Sequence, residues 1–132
     1  MVFSLKRRPG VAVVEIYGVI GTTVKDSAYS RLFESIARNK KFGALLLDID
    51  SPGGGVPASD YLYRSVARIA EEKPVVASIR GIGASGAYLI SCAAHKVVAT
   101  PGAIIGSIGV ISIRPALQEL LQRLGVGVNV SK

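Results

Sequence analysis

The feature that most restricts the fold is a regular alternation between two kinds of apolar pattern. Short runs rich in valine, isoleucine and leucine predict strands, and they alternate with segments whose apolar residues recur at helical spacing. The predicted strands are residues 11–17, 42–49, 74–79, 96–99 and 126–130. The predicted helices are residues 26–38, a segment that begins near residue 58, residues 86–94 and residues 114–124. Strands alternating with helices form a mainly parallel sheet joined by right-handed crossovers, so the sequence predicts an α/β fold.

Length and composition fit one globular domain, residues 1–132. Of its 132 residues 49% are hydrophobic, enough to bury a core, and no apolar run is long enough to cross a bilayer. The formal charge is +7, but the basic residues are scattered and tryptophan is absent, so nucleic-acid binding is not expected. Cys92 is the only cysteine, which excludes an internal disulfide. The chain as given is therefore expected to be soluble.

Glycine gathers in three turns that follow or precede predicted elements, at residues 51–55, 81–86 and 102–109. In parallel α/β sheets, binding sites form where strands end and helices begin. We therefore expect the functional site at the edge of the sheet where these turns meet.

Ser85 lies in the second of these turns, between a strand and a helix. Its hydroxyl can cap the free amides of the helix, which is the commoner use of serine at such a position. Alternatively, Ser85 is a nucleophile held above the sheet edge, where helix amides favour developing negative charge. In that case the amides of Gly86 and of Gly54, in the neighbouring glycine turn, can face the oxyanion of a tetrahedral intermediate.

Three segments together resemble the signal peptide peptidase A family of serine peptidases. They are DSPGGG at residues 50–55, GIGASGAYLISCAA at residues 81–94 and TPGAIIGSIGV at residues 100–110. Each segment alone is weak evidence, but their common order and spacing make the resemblance specific, and it extends from about Val11 to the last residue. It implies a fold like those of Clp protease and the crotonase enzymes.

The resemblance also implies roles for individual residues. Ser85 matches the nucleophile, Gly54 and Gly86 match the oxyanion-hole positions, and Ser107 matches a serine that orients a lysine general base. No metal and no cofactor are implied. The implied substrates are extended peptides with apolar or small side chains beside the scissile bond, signal peptides above all. The implied assembly is a membrane-associated homo-oligomer with its catalytic domain on the extracytoplasmic side.

The general base has few candidates. His95 is the only histidine, and if residues 85–95 are helical it lies about 15 Å from Ser85 along the helix axis, beyond hydrogen-bond reach. A lysine whose amine is kept neutral by burial is therefore expected. Three lysines precede strands and so belong to the opposite edge of the sheet: Lys40, Lys41 and Lys73.

Lys25 and Lys132 remain possible bases. Lys25 follows the first strand, but Asp26 beside it favours a solvated helix start. On the family pattern Lys132 falls before the catalytic lysine, so we expect that lysine to follow Lys132 and the present chain to be a truncated, nearly inactive peptidase domain.

Two other functions stay open. A crotonase-like acyl-CoA enzyme also places two glycine amides opposite a thioester carbonyl, but it needs no serine at position 85. A non-catalytic scaffold would hold extended peptide in the same groove without cutting it. Near the start of the chain, Lys6, Arg7 and Arg8 form either a solvated tail or a contact with anionic lipid headgroups.

Overall fold

The computed structural model describes residues 9–113 and 115–126, which form five strands and four helices. The strands are β1 Gly10–Tyr17, β2 Phe42–Ser51, β3 Val75–Ala84, β4 Lys96–Ala99 and β5 Ile104–Gly106. The helices are α1 Asp26–Arg38, α2 Val56–Ala70, α3 Gly86–Ser91 and α4 Gln118–Arg123. The paired strands are parallel, as the alternation predicts.

The sheet has the order β1-β2-β3-β4, and β5 also pairs with β3. The long strand β3 pairs first with β4, along Val76 to Ile79, and then with β5, along Ile82 to Ala84. Because the strands are parallel, the carboxyl ends of β1, β2 and β3 meet at one edge of the sheet. Ser85 and the glycine turn after β2 lie at this edge.

The core lies between the sheet and three helices that pack side by side, α1 against α2 and α2 against α3. Helix residues at helical spacing are buried against it, such as Phe33 and Ile36 of α1. Alternate residues of the strands face the same core, and they include Ile16, Leu47, Ile49, Ala77 and Ile79. The other face of β1 leaves Val11 and Val13 58% and 59% exposed. No helix within the described residues is long and apolar enough to cross a membrane.

The middle of the chain departs from the predicted boundaries. β3 continues to Ala84 instead of ending at residue 79, because Gly83 pairs with Ser51 of β2 and residues 82–84 pair with β5. A side chain at position 81 or 83 would crowd a neighbour, since a Cβ on Gly83 would lie 2.7 Å from Ile79 Cδ1. The residues 102–109, predicted as a turn, contain β5. The helix predicted over residues 86–94 ends at Ser91.

The last helix is also shorter than predicted, covering Gln118–Arg123 instead of residues 114–124. Leu120 is 54% exposed, and a short helix that buries little apolar surface within the described part of the chain is only marginally stable. It ends as predicted, because Gly125 has φ +70° and the amides of Gly125 and Val126 donate to the carbonyls of Gln122 and Leu121. Residues 127–130 of the last predicted strand lie outside the described residues.

Candidate active site

Ser85 forms the sharp turn between β3 and α3. Its backbone has φ +51° and ψ −120°, a conformation of the kind that costs a non-glycine residue about 1–3 kcal/mol. Two hydrogen bonds maintain it: the Ser85 amide donates to the Gly106 carbonyl at 2.8 Å, and the Leu89 amide donates to the Ser85 carbonyl at 3.0 Å. β5 on one side and α3 on the other therefore hold the strained turn, and such strain is concentrated at functional sites.

The hydroxyl of Ser85 does not cap α3, which was the simpler of the two roles open to it. Ser85 occupies the N-cap position, yet its side chain makes no capping hydrogen bond. N-cap residues normally have extended dihedral angles that direct the side-chain oxygen toward the first helical amides. With a φ of +51° this geometry is lost, and the side chain instead lines two cavities.

The glycine turn after β2, which lies against Ser85, is fixed by a residue that the sequence analysis missed. Ser51 is fully buried, and its Oγ donates to the Gly18 carbonyl at 2.6 Å and accepts from the Gly53 amide at 3.1 Å. Serine at the start of a Pro-Gly turn was the available signal. Gly53 has φ +93°, and a Cβ there would lie 2.8 Å from both the Gly86 nitrogen and Ser85 Cβ. Close approach therefore requires glycine at position 53.

Gly54, in the same turn, is packed against the backbone of Ile20. A Cβ on Gly54 would overlap the Ile20 carbonyl oxygen and lie 2.7 Å from the Ile20 nitrogen. The Ile20 amide donates to the Gly53 carbonyl at 2.8 Å, and the Gly55 amide donates to the Ile20 carbonyl at 3.0 Å. The Gly54 amide takes no part in these bonds.

The amides of Gly54 and Gly86 are neighbours. A Cβ on Gly86 would lie 3.7 Å from the Gly54 nitrogen. Gly86 is the first residue of α3, where an amide has no acceptor within its own helix. Two such amides beside Ser85 provide donors of the kind that stabilise an oxyanion.

Ser85 and Gly54 line two adjoining cavities. The first has a volume of about 410 Å³. Its other lining residues are mostly apolar: Val56, Ser59, Gly86, Tyr88, Leu89, Cys92, Ile108, Gly109 and Val110. The second cavity has a volume of about 470 Å³ and is lined also by Pro52 and Ser107. Among the described residues, the lining of these two cavities includes no charged side chain.

Ser107 follows β5 and is exposed. Its φ is +53°, and it lines the second cavity together with Ser85 and Gly54. The structure thus brings all four predicted site residues, Ser85, Ser107, Gly54 and Gly86, to one edge of the sheet. Their chemical roles stay predictions.

The residues that were excluded as bases lie at the opposite edge. His95 Nδ1 accepts from the Val75 amide at 3.1 Å, at the start of β3, whereas Ser85 follows its end. Ten residues of strand separate these positions by about 30 Å. Lys73 Nζ donates to the carbonyls of Ile36 and Asn39 at the end of α1. Lys25 is exposed and lines neither cavity, and Lys132 lies outside the described residues.

The shifted pKa values belong to a different cluster, on the face of the sheet away from the helices. Arg80 binds Asp48 through two hydrogen bonds of 2.8 and 2.5 Å, and the Tyr17 hydroxyl donates to Asp48 at 2.7 Å. The bonds from Arg80, and then from Tyr17, hold the pKa of Asp48 below its usual value. The hydrogen bond to Asp48 raises the pKa of Tyr17 to about 12. The cluster joins β1, β2 and β3 and lines neither cavity.

Comparison with known proteins assigns the family. Residues 67–132 match the model of peptidase family S49. The chain is also 36% identical, over 121 residues that cover 89% of it, to the serine protease SPPA of Arabidopsis thaliana. The chain belongs to peptidase family S49. This S49 chain spans 18% of the length of the Arabidopsis protein, and 46% and 37% of relatives from Synechocystis and Methanocaldococcus jannaschii. The predicted membership of the signal peptide peptidase A group is confirmed.

Solved structures share the fold of this S49 domain. A membrane-bound stomatin-specific protease in complex with a substrate peptide matches with a TM-score of 0.63 and 26% identity, over 89% of this chain and 56% of that one. ClpP1 from Listeria monocytogenes matches with a TM-score of 0.54 and 25% identity, over 62% and 46% of the two chains. A member of the enoyl-CoA hydratase/isomerase family matches with a TM-score of 0.59 and 25% identity, over 89% and 56%. The predicted Clp protease and crotonase-like fold is therefore confirmed.

Proposed function

We propose that this S49 domain carries the nucleophile of a serine peptidase that cleaves extended, apolar peptides. The observation that carries the proposal is the strained turn at Ser85, which stands beside the amides of Gly54 and Gly86 and opens on two cavities. Membership of family S49 supports peptide hydrolysis over other chemistry on the same fold.

In the proposed reaction, Ser85 Oγ attacks the carbonyl carbon of the scissile bond while its proton passes to a general base. The carbonyl oxygen becomes an oxyanion that accepts hydrogen bonds from Gly54 and Gly86. The C–N bond then breaks, and the base returns the proton to the leaving amine. A water molecule, deprotonated by the same base, hydrolyses the acyl-enzyme and frees Ser85.

The base in this proposal is a lysine, and Ser107 orients its amine. The place of Ser107 in the second cavity, beside Ser85, supports that role. Among the described residues no lysine lines either cavity, so we place the base in the part of the protein that follows residue 126. The family pattern favours a lysine after Lys132, and Lys132 and Lys25 are the next candidates.

The substrates in this proposal are signal peptides or other extended peptides with apolar or small side chains. The first cavity is lined by apolar residues such as Val56, Leu89 and Val110, and an apolar lining suits such side chains. The substrate peptide bound to the stomatin-specific protease supports peptide as the ligand class.

The working form in this proposal is a homo-oligomer at a membrane surface, with the site on the extracytoplasmic side. Ile108, Ile111 and Ile113 are 83%, 91% and 88% exposed, and a partner subunit that covers them would remove this apolar surface from water. The membrane-bound state of the stomatin-specific protease supports a membrane location. The basic residues 6–8, proposed to face anionic headgroups, lie outside the described residues.

The decisive experiment compares the 132-residue chain with a version extended to the native C terminus of the protein. We expect peptide cleavage in the extended version, marginal turnover in the short one, and loss of about 10³-fold or more on Ser85→Ala or on replacing the added lysine by alanine. Unchanged cleavage in a clean Ser85→Ala preparation would refute the nucleophile. Full activity of the short chain would instead place the base at Lys132 or Lys25.

The two alternatives are separated by labelling and binding. A fluorophosphonate labels an activated serine, so labelling at Ser85 in the extended version would exclude a crotonase-like acyl-CoA enzyme that does not use this serine. Peptide binding without any turnover in the extended version would favour the non-catalytic scaffold.

A further inference from the structure

Ser59 is a buried polar residue in the first turns of α2 that the proposed reaction does not use. It is 2% exposed. Its Oγ donates to the Gly55 carbonyl at 2.9 Å, and its own amide donates to the same carbonyl at 3.0 Å. Ser59 is therefore tied to the residue that directly follows Gly54.

The other side of Ser59 is in contact with the Ser85 turn. A Cβ on Gly86 would overlap Ser59 Oγ and lie 2.7 Å from Ser59 Cβ. The next nearest atom to that Cβ would be the Gly54 nitrogen, at 3.7 Å. Ser59 thus occupies the space against Gly86, and it also lines the first cavity. One side chain contacts both of the turns that carry the two amides.

We propose that Ser59 is a positioning residue that sets the spacing between the Gly54 and Gly86 amides, an inference that rests on and deepens the proposed function. Oxyanion donors act at about 2.7–3.1 Å from the oxygen they stabilise. A shift of about 1 Å in a positioning group can cost about 10²-fold in rate. Ser59 controls this spacing because its volume separates α2 from α3 and its hydroxyl fixes the Gly55 carbonyl.

The contact between Ser59 and Gly86 can be tested by moving the side chain from position 59 to position 86. Gly86→Ala alone introduces a methyl group that overlaps Ser59, whereas Ser59→Gly removes the overlapping atoms. In the double variant the nearest remaining neighbour of the new methyl group is the Gly54 nitrogen at 3.7 Å, an ordinary contact. We expect Gly86→Ala to lower kcat by about 10²-fold with KM nearly unchanged, and the double variant to recover about 10-fold of that loss.

Ser65→Gly is a matched control within the same helix. Ser65 Oγ donates to the Tyr61 carbonyl at 2.9 Å, the same local bond that Ser59 makes, but Ser65 lines neither cavity beside Ser85. It should leave kcat unchanged and should not rescue Gly86→Ala. A double variant with Ser59→Gly that is no faster than Gly86→Ala alone would overturn the inference, as would equal rescue by Ser65→Gly.

A second readout needs no catalysis. In the 132-residue chain labelled with ¹⁵N-glycine, Ser59→Ala should shift the amide signals of Gly54 and Gly86, while Ser65→Gly should leave both in place. If the extended version cleaves no peptide, the proposed function fails, and these shifts still decide whether Ser59 positions the two amides. Unmoved Gly54 and Gly86 signals in Ser59→Ala would overturn the inference.

Discussion

Ser85 and Ser107 are the non-glycine residues with a left-handed φ in the described part of the chain, and both line the second cavity. Such conformations persist only where surrounding contacts enforce them. For Ser85 these contacts are known, since Gly106 accepts from its amide and Leu89 donates to its carbonyl. At the scale of single residues, the candidate site is therefore marked by strain and by glycines whose backbone is in close contact with neighbouring backbone.

Gly54→Ala provides a test of that close packing. A methyl group there would meet the backbone of Ile20, which cannot rotate away, so we expect the free energy of unfolding to fall by about 2 kcal/mol or more. Gly102→Ala is the matched control, because a Cβ there has no atom within 4 Å, and it should change stability by less than about 0.5 kcal/mol. Urea unfolding measures both. Equal stability of the two variants would mean that the Gly54 turn is not held against Ile20.

Among the elements, α3 contributes to two parts of the candidate site. The amide of its first residue, Gly86, is a proposed oxyanion donor, and Tyr88 and Leu89 of the helix line the first cavity together with Cys92, which directly follows it. The segment from Ser85 to Cys92, which contains α3, extends about 10 Å, and residues at both of its ends line this cavity. The preference of the peptidase for one side chain over another should therefore depend on α3.

We predict that the extended chain cleaves next to Leu, Phe or Ala in preference to Lys or Arg, because burying an unpaired charge among apolar side chains is costly. Cys92→Phe, which fills the far end of the first cavity, should shift the preference from Phe toward Ala. A peptide library measures both preferences, with Cys92→Ser as the control of similar size. A preference for basic side chains would show that the peptide lies elsewhere.

On the scale of the whole molecule, the charged cluster of Tyr17, Asp48 and Arg80 ties three strands together on the face that the helices leave open. Asp48 is buried while Arg80 is largely exposed, so the pair is partly screened by solvent. The cluster lies outside the candidate site. Its contribution should therefore appear in global unfolding and not in catalysis.

The lowered pKa of Asp48 predicts how stability changes with acid. A carboxyl with a lower pKa in the folded state stabilises the fold fully above its unfolded value of about 3.9, and this stabilisation is lost as the pH falls through the folded-state pKa. The raised pKa of Tyr17 affects stability at alkaline pH. Its contribution is complete below about pH 10 and is lost as the pH rises toward about 12.

Urea unfolding across this pH range measures these effects. Asp48→Asn should make the free energy of unfolding less dependent on pH in the acid range. Tyr17→Phe should do the same in the alkaline range. Asp60→Asn serves as the control, because Asp60 pairs with Arg64 on the exposed surface of α2, where an ion pair contributes little to stability. If Asp48→Asn leaves the loss of stability in acid unchanged, a lowered pKa of Asp48 is not its cause.

Local pattern was sufficient for much of this protein. Apolar alternation predicted the parallel sheet, the helix Asp26–Arg38 and the strand Lys96–Ala99 at their observed bounds. The glycine motifs predicted the family and brought Ser85, Gly54, Gly86 and Ser107 forward as site residues. The predictions of the fold and the family succeeded because spacing along the chain determines which face of an element is buried, and because glycine and serine clusters mark turns. The chemical roles of the four site residues stay predictions.

Other features depend on contacts between residues far apart in the chain, and only the tertiary structure decided them. Pairing of residues 82–84 with β5 extends β3 to Ala84, although the glycines at positions 81 and 83 predict a turn. The helix α4 is shorter than its sequence signals predict, and among the described residues none of its side chains is buried. The left-handed φ of Ser85, the buried bonds of Ser51 and the contact of Ser59 with Gly86 also need partners from other elements. Tertiary contacts can override local preference, because a local conformational preference of about 1 kcal/mol is smaller than the combined free energy of packing and hydrogen bonding.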